Sequence, residues 1–552
     1  DYYGHCVEAR LHNKTFMQDR LAVLKKEIRK YMLAGMDAAH ALYQDRQDTY
    51  YLEKALQFSE TGKYLLVKSM MASRNQTAKL PDTLSRLNIS LVNRINSLHM
   101  ETKKKEAGGK ITETAQLKDQ LFKLILQKDS LRNVILEQYP ESTRRQFQLL
   151  SYDKIKSDIT EGQMLINYFL EDTVLHIVQL TPDSVYWFRN ENAAQVREMA
   201  ERVIAFCNPT ISDPSDNAAY VDYASALAQQ LLGASSGLTG IEELILVPDR
   251  ELNLLPFEAL LSSKPDPGIP YRDLPYLLYD FTFSYHHSLY LAGGKNRSEK
   301  YPDQTYFLAI APDFKGNASP ARDELSSIAE AGGEAAYLAD LFNGELLSGR
   351  KATKAQLEPY LRTASIVHFA THTRLDTTGI FSTGLMLSTD TAENSFEPFR
   401  TSEICCSDIP ADLVMLSACS SGNGLMLDGE GVISLGWAFR YAGCKSVGIS
   451  LFPLDDASAR TIMTSFYTGL RDGLPKNHSL RAAKLQFLET VVPGKTHPKY
   501  WAGLTVVGDQ SAIATPSNLT VQLKVTLILA ALFALLVIIA VRKRKTRISE
   551  GA

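Results

Sequence analysis

The chain has 552 residues, with 59 Lys and Arg against 62 Asp and Glu, a net charge of −3. That balance excludes a global basic field for nucleic acid. An apolar fraction of 45% and a charged fraction of 22% exclude a mostly disordered, collagenous or disulfide-stapled chain. At roughly 150 residues per domain the length predicts three or four units.

The first unit, up to about residue 148, reads as helical. Leu21, Leu24, Ile28, Tyr31 and Met32, and later Leu117, Leu121, Leu124 and Ile125, recur at three- and four-residue steps. Such spacing makes one-sided helices that must pack on each other. Residues 51–72 look like the end of a helical-hairpin repeat array, although no full repeat recurs at a fixed period. The chain begins with Asp1 rather than Met, and no signal sequence is visible, so a processed or truncated N-terminus is expected. The Lys103–Lys105 run beside Glu106 reads as a solvated surface.

Mixed strands and helices follow. Residues 164–170, 174–180, 184–188 and 242–249 have strand character. Beyond residue 300, continuous apolar runs at 306–311, 365–370, 413–417, 446–451 and 503–507 alternate with helical stretches, including one at 457–470. That alternation predicts a mostly parallel sheet covered on both faces. Chemistry in such sheets sits at the carboxyl ends of the strands.

Two strand ends carry reactive side chains. IVHFATH (366–372) ends in His372, and LVMLSACSSG (413–422) carries Cys419. If these strands are neighbours, His372 and Cys419 face each other across the top of the sheet. An imidazole that takes the thiol proton leaves a thiolate nucleophile. Small residues after Cys419 let backbone amides turn towards an oxyanion. The competing reading is that Cys419 is a core residue at the end of a buried strand. His368, four residues before His372, reads as buried and hydrogen-bonded rather than as a metal ligand, since no carboxylate or Cys nearby completes a site. Residues 344–351 imitate a phosphate loop but have Arg where Lys is needed. Cys405 and Cys406 read as packing residues, and Trp437 and Trp501 as core.

The C-terminus closes with an uncharged run, 525–541, followed by Arg542, Lys543, Arg544, Lys545 and Arg547. The run is about 25 Å long as a helix and carries a basic stop. It predicts a membrane anchor with the tail cytoplasmic and the bulk of the chain periplasmic or extracytoplasmic.

Beyond these separate motifs, the C-terminal half resembles a CHAT domain, the caspase-like peptidase module associated with tetratricopeptide repeats. The matching stretches occur in order: VPDRELNLLPFEALL (247–261), ARDELSSIAE (321–330), IVHFATH (366–372), LVMLSACSSGNG (413–424), GEGVISLGWAFRYAGCKSVGISLFPLDD (429–456) and HPKYWAGLTVVGD (497–509). The resemblance implies the membrane-anchored, bacterial type. Its fold would be α/β, a caspase-like mostly parallel sheet sandwiched by helices, with a helical repeat-like region before it and one transmembrane helix after it. The implied organisation is 1–148, the end of a tetratricopeptide-like array; 149–295, a pseudo-caspase-like part; 296–509, the catalytic part; 510–522, a linker; 523–541, the membrane helix; and 542–552, a basic tail.

Carried over by motif, Cys419 is the nucleophile and His372 its general base, cleaving a peptide bond through a thioester. Backbone at Thr373, Ala418 and Ser420 would support the oxyanion. The family commonly has Gly after its catalytic His, where this chain has Thr373, whose β-branched side chain restricts the turn. Asp455 and Asp456, with Glu430, could line an acidic pocket for a basic side chain; the alternative is that the aspartates cap the next helix and Glu430 organises loop amides. No metal or organic cofactor is required. Expected partners are a protein substrate or regulator held by the helical repeats, and the membrane, but no nucleic acid. A non-catalytic CHAT-type scaffold is the competing functional expectation, and the oligomeric state stays open.

Overall fold

In the computed structural model, the described residues are 18–63, scattered positions between 83 and 105, 111–138, 151–208, 217–233, 238–289 except 267, 306–314, 331–374, 383–389, 395–417, 425–427, 431–433 and 435–513. Helix α1 (Gln18–Arg46) turns at Gln47 and Asp48 into α2 (Thr49–Gly62), where the Asp48 carboxylate accepts the Tyr50 N–H at 2.9 Å. A two-residue connection makes the pair an antiparallel hairpin. Gly35 lets α1 approach α2 closely, since a Cβ there would stand 2.9 Å from the Phe58 ring. Helix α3 (Ile111–Gln138) packs Leu124, Leu131 and Ile135 on Leu91 and Ile95, a cluster apart from the main core.

Helix α4 (Tyr152–Ser157) leads into β1 (Gln163–Leu170), β2 (Leu175–Leu180) and β3 (Val185–Asn190), a meander at one edge of the sheet. Helices α5 (Ala193–Cys207) and α6 (Asn217–Leu232) precede β4 (Glu243–Val247) and β5 (Thr282–Tyr285). The strand period of two assigns the two faces. Met164, Ile166 and Tyr168 join Val196, Val203 and Leu227 of α5 and α6, while Leu165, Phe169 and Trp187 pack on Ile28, Met32 and Leu56 of the hairpin.

The second half runs β6 (Phe307–Ala311), α7 (Ala331–Leu341), β7 (Glu345–Ser348), α8 (Lys354–Leu361) and β8 (Ile366–Phe369). Next come β9 (Thr373–Arg374), β10 (Gly384–Ser388), β11 (Phe396–Arg400) and α9 (Thr401–Cys406), then β12 (Leu413–Leu416). The chain continues through the hairpin β13 (Leu425–Leu427) and β14 (Gly431–Ile433) to α10 (Leu435–Tyr441) and β15 (Ser446–Ser450). Helices α11 (Asp456–Arg471) and α12 (Lys476–Thr490) precede β16 (Leu504–Gly508).

Eleven strands form one sheet in the order β3-β2-β1-β4-β5-β16-β15-β12-β8-β6-β7. Strands β6, β8, β12 and β15 are buried along their whole length, as continuous apolar runs in a two-faced parallel sheet must be. Strand β16 lies parallel to β5 and antiparallel to β15, so the two halves join there with opposite strand directions. The carboxyl ends of β1, β4 and β5 therefore face one edge of the sheet. Those of β6, β7, β8, β12 and β15 face the other.

A mixed α/β fold with a large parallel-rich sheet fits the caspase-like part of the expectation. The membrane part is corrected. Among the described residues no helix is long and apolar enough to cross a membrane. The run 523–541 expected to do so lies outside the described residues, together with the linker and the tail. The single-pass, periplasmic placement that rested on it falls with it, as does the membrane as a partner.

Candidate functional site

Crossovers through α7 and α8 take the chain outward from β6 to β7 and then back to β8 on the other side of β6. This reversal is a topological switch point, where an open α/β sheet leaves a crevice at its carboxyl edge. Phe314 follows β6 and His372 follows β8, one on each side of that crevice. Their rings meet edge to face with centroids 4.7 Å apart, and Phe314 in turn packs on Phe396 at 4.5 Å. The His372 carbonyl accepts the Met386 N–H at 2.9 Å, which hangs the small sheet β11-β10-β9 directly from the histidine. His372 is half-buried.

Strand β12 is the neighbour of β8 on the side away from β6, parallel and in register: Ile366 pairs with Leu413, His368 with Met415 and Phe369 with Leu416. The ladder continues one step further, where the Ser417 N–H donates to the Phe369 carbonyl at 2.9 Å. Gly448 of β15 lets β12 seat closely on its other side, since a Cβ there would fall 2.3 Å from the Met415 sulfur. In sequence, His372 is three residues past Phe369 and Cys419 three past Leu416. Cys419 itself, with Ala418, Ser420 and Glu430, lies outside the described residues.

Thr373 opens β9 opposite Leu385, and its buried hydroxyl makes no hydrogen bond. Asp455 stands at the carboxyl end of β15 as the N-cap of α11. Its carboxylate accepts the Ser458 N–H at 3.0 Å and hydroxyl at 2.7 Å, and pairs with the Lys495 ammonium at 2.8 Å. Burial pushes this carboxyl up, but Lys495 and Ser458 outweigh it and hold it below the usual carboxylate range. Asp456 is exposed in the first turn of α11.

His368 points away from the crevice into the core and is fully buried. Its Nδ1 lies 3.0 Å from the Tyr467 hydroxyl, and its Nε2 stands 3.1 Å from Glu334 Oε1, off the N–H axis. The Ser417 hydroxyl donates to the same Glu334 oxygen at 3.1 Å. Neither Glu334 nor Tyr467 was legible as part of a site, because α7 and α11 meet β8 only in three dimensions. The cysteines Cys207, Cys405 and Cys444 are buried, and burial pushes the Cys444 thiol up to about 11, far from a reactive thiolate. Among the described residues no group of three His, Cys, Asp or Glu could hold a metal ion.

An α/β protein with paired, parallel strand ends beside a switch point is thus defined by its geometry before any comparison. Residues 221–509 match the family described as CHAT domain, more than half of the chain, and the chain belongs to that family. Tetratricopeptide repeat protein 28 of Homo sapiens is 26% identical over 336 residues, covering 52% of this chain and 13% of that protein. The protein of the same name from Mus musculus is 27% identical over 222 residues, covering 34% of this chain and 9% of that one. The chain therefore spans only about a tenth of the curated relatives it matches, and neither a bacterial type nor a membrane anchor finds support among them. Among solved structures, the Saccharomyces cerevisiae separase–securin complex at 3.0 Å resolution is 10% identical with a TM-score of 0.39, covering 88% of this chain and 44% of that one. The Porphyromonas gingivalis RgpB pro- and mature-domain complex is 13% identical with a TM-score of 0.31, covering 57% and 76%. No shared fold follows from scores this low.

Proposed function

We propose that the chain is a caspase-like cysteine peptidase of the CHAT type, acting through a His372–Cys419 dyad on a protein substrate. What supports this reading is the register of β8 against β12, which sets Phe369 beside Leu416, each three residues before one member of the proposed dyad, at one edge of the sheet beside the switch-point crevice. In the proposed reaction His372 takes the Cys419 thiol proton, and the thiolate attacks the peptide carbonyl carbon. Backbone N–H groups at Thr373, Ala418 and Ser420 hold the resulting oxyanion. The imidazolium returns its proton to the departing amine, leaving a thioester. Water, deprotonated by His372, hydrolyses that thioester and frees the thiolate.

The helical region would recognise a partner protein or present the substrate. Asp455 serves α11 and Lys495 in this reading rather than a basic substrate side chain. A second reading, a CHAT-type scaffold that binds without cutting, is favoured by Thr373, which fills the position after the histidine with a branched residue held in β9. The test compares wild type with Cys419→Ala in a self-processing and peptide-library assay. The peptidase reading expects cleavage products in wild type alone. Identical patterns in both proteins would leave the scaffold reading standing.

A further inference from the structure

Beneath the proposed dyad sits a buried polar cluster that the cleavage chemistry does not use. Glu334, in the first turn of α7, is 6% exposed, while His368 and Tyr467 are 0% exposed. A carboxylate in such a place is costly unless its oxygens are occupied. One of them, Oε1, lies 3.1 Å from the Ser417 hydroxyl and 3.1 Å from His368 Nε2. Since a carboxylate only accepts, the Ser417 O–H donates to Glu334, while His368 Nε2 lies close to the same oxygen but off the hydrogen-bond axis, a polar contact rather than a hydrogen bond; His368 Nδ1 pairs with the Tyr467 hydroxyl. Tyr467 is itself wedged edge-on against Phe307 and Phe342, with centroids 5.7 and 5.9 Å away.

We infer that Glu334 is a positioning residue of the site: one buried carboxylate ties the carboxyl end of β8, through His368, to the carboxyl end of β12, through Ser417. His368 is four residues before His372 and Ser417 two residues before Cys419. Backbone ladder bonds fix the register of the two strands, the last of them among the described residues being the one from Ser417. Glu334 supplies a side-chain bond at that last described position, held from α7 rather than from either strand. A small displacement between two reacting groups is expensive, which is why a supporting shell carries rate. This inference rests on the dyad reading above.

The test uses the full chain and iodoacetamide, following alkylation of the Cys419 peptide by mass across pH, with thermal unfolding recorded for every variant. His372→Ala is measured first. An alkylation profile identical to wild type would overturn the dyad reading and this inference together. With the dyad standing, Glu334→Ala is expected to slow alkylation at neutral pH about tenfold and to move its midpoint to higher pH. Glu334→Gln, which keeps an acceptor for Ser417, is expected to restore most of the rate. Ser417→Ala, at a half-buried position that tolerates truncation, is expected to show a smaller shift in the same direction. A merely structural role would lower the unfolding temperature without moving the alkylation midpoint of the folded protein. Profiles for Glu334→Ala and Ser417→Ala that superimpose on wild type would overturn the inference while leaving the dyad intact. If Glu334→Ala fails to fold, Ser417→Ala decides alone.

Discussion

The two halves of the sheet end their parallel strands in opposite ways. At the carboxyl edge of β1, β4 and β5 the space is filled by the hairpin α1–α2. Arg29 reaches across to the Leu170 carbonyl at 2.8 Å and grips both oxygens of Asp249, at 2.8 and 3.3 Å, while its Nε meets Glu171. Lys63 donates to the Asn167 side chain at 2.6 Å, and Glu60 accepts from Ser288 and from the Leu289 N–H at 3.0 Å. Three strand ends are thus closed by three charged side chains of one hairpin, all of them buried. At the carboxyl edge of β6, β8 and β12 no such plug arrives among the described residues, and a half-buried histidine stands there against an aromatic ring. A switch-point architecture supplies a crevice in either half; what differs is whether the protein's own side chains occupy it. The hairpin also packs on the sheet through Ile28, Met32 and Leu56.

The largest effect belongs to the open half. His372→Ala is expected to lower peptide cleavage about a thousandfold, equivalent to about 4 kcal/mol, measured as kcat/KM on a substrate found in the library screen. An unchanged rate would make both edges structural and erase the contrast. In the sealed half, Arg29→Ala leaves Asp249 buried without its guanidinium and is expected to destabilise the protein by about 3–5 kcal/mol in urea unfolding. Near-wild-type stability would mean that the hairpin only rests on the sheet.

Acid should sharpen the comparison further, because the sealed half also buries neutral histidines. His176 accepts the Trp187 N–H on Nδ1 at 3.2 Å, and burial pulls it down from 6.5 to about 4 despite Asp37. His287 is pulled down to about 3 by burial, with Arg440 and His286 adding to it. Below pH 6.5 the unfolded chain binds protons at both positions while the native protein does not. Stability is therefore whole above pH 6.5 and falls with acidification towards pH 4, by up to about 1.4 kcal/mol per pH unit for each group. Unfolding measured from pH 7 to 5 should show that slope, and His176→Asn should reduce it. The smallest effect is expected at Asp455. Its replacement by alanine removes a cap and an ion pair at about 1 kcal/mol, with cleavage retained. Selective loss of cleavage after basic residues would instead return Asp455 to the substrate pocket.

Much of this was readable in the chain. The runs 164–170, 306–311, 413–417 and 446–451 coincide with β1, β6, β12 and β15 to within a residue or so, because a two-faced parallel strand has to be apolar throughout. The helix expected at 457–470, with the preceding aspartates as its alternative cap, runs from Asp456 to Arg471 with Asp455 as its N-cap. The adjacency of β8 and β12 was posed only as a condition, since local pattern carries no strand order. The Glu334 link was invisible for the same reason: 83 residues separate it from Ser417. Arg29 and Lys63 were missed because charged residues on a helix pattern read as a solvated face, and only the docked hairpin shows otherwise. The membrane expectation shows how far a local apolar run can be over-read: it supplied a topology for the whole molecule that no described helix supports.

Strand β16 gives the sheet a timetable. It is the last strand among the described residues yet sits near the middle of the sheet, joining Tyr285 of β5 to β15 through Val507. Until it is synthesised, β5 and β15 each present a raw edge, and the two halves cannot be one sheet. Contacts so distant in sequence form slowly and late. The joint sheet is thus completed only after both halves have emerged, and a chain cut before residue 504 would carry two open edges prone to pairing with other copies.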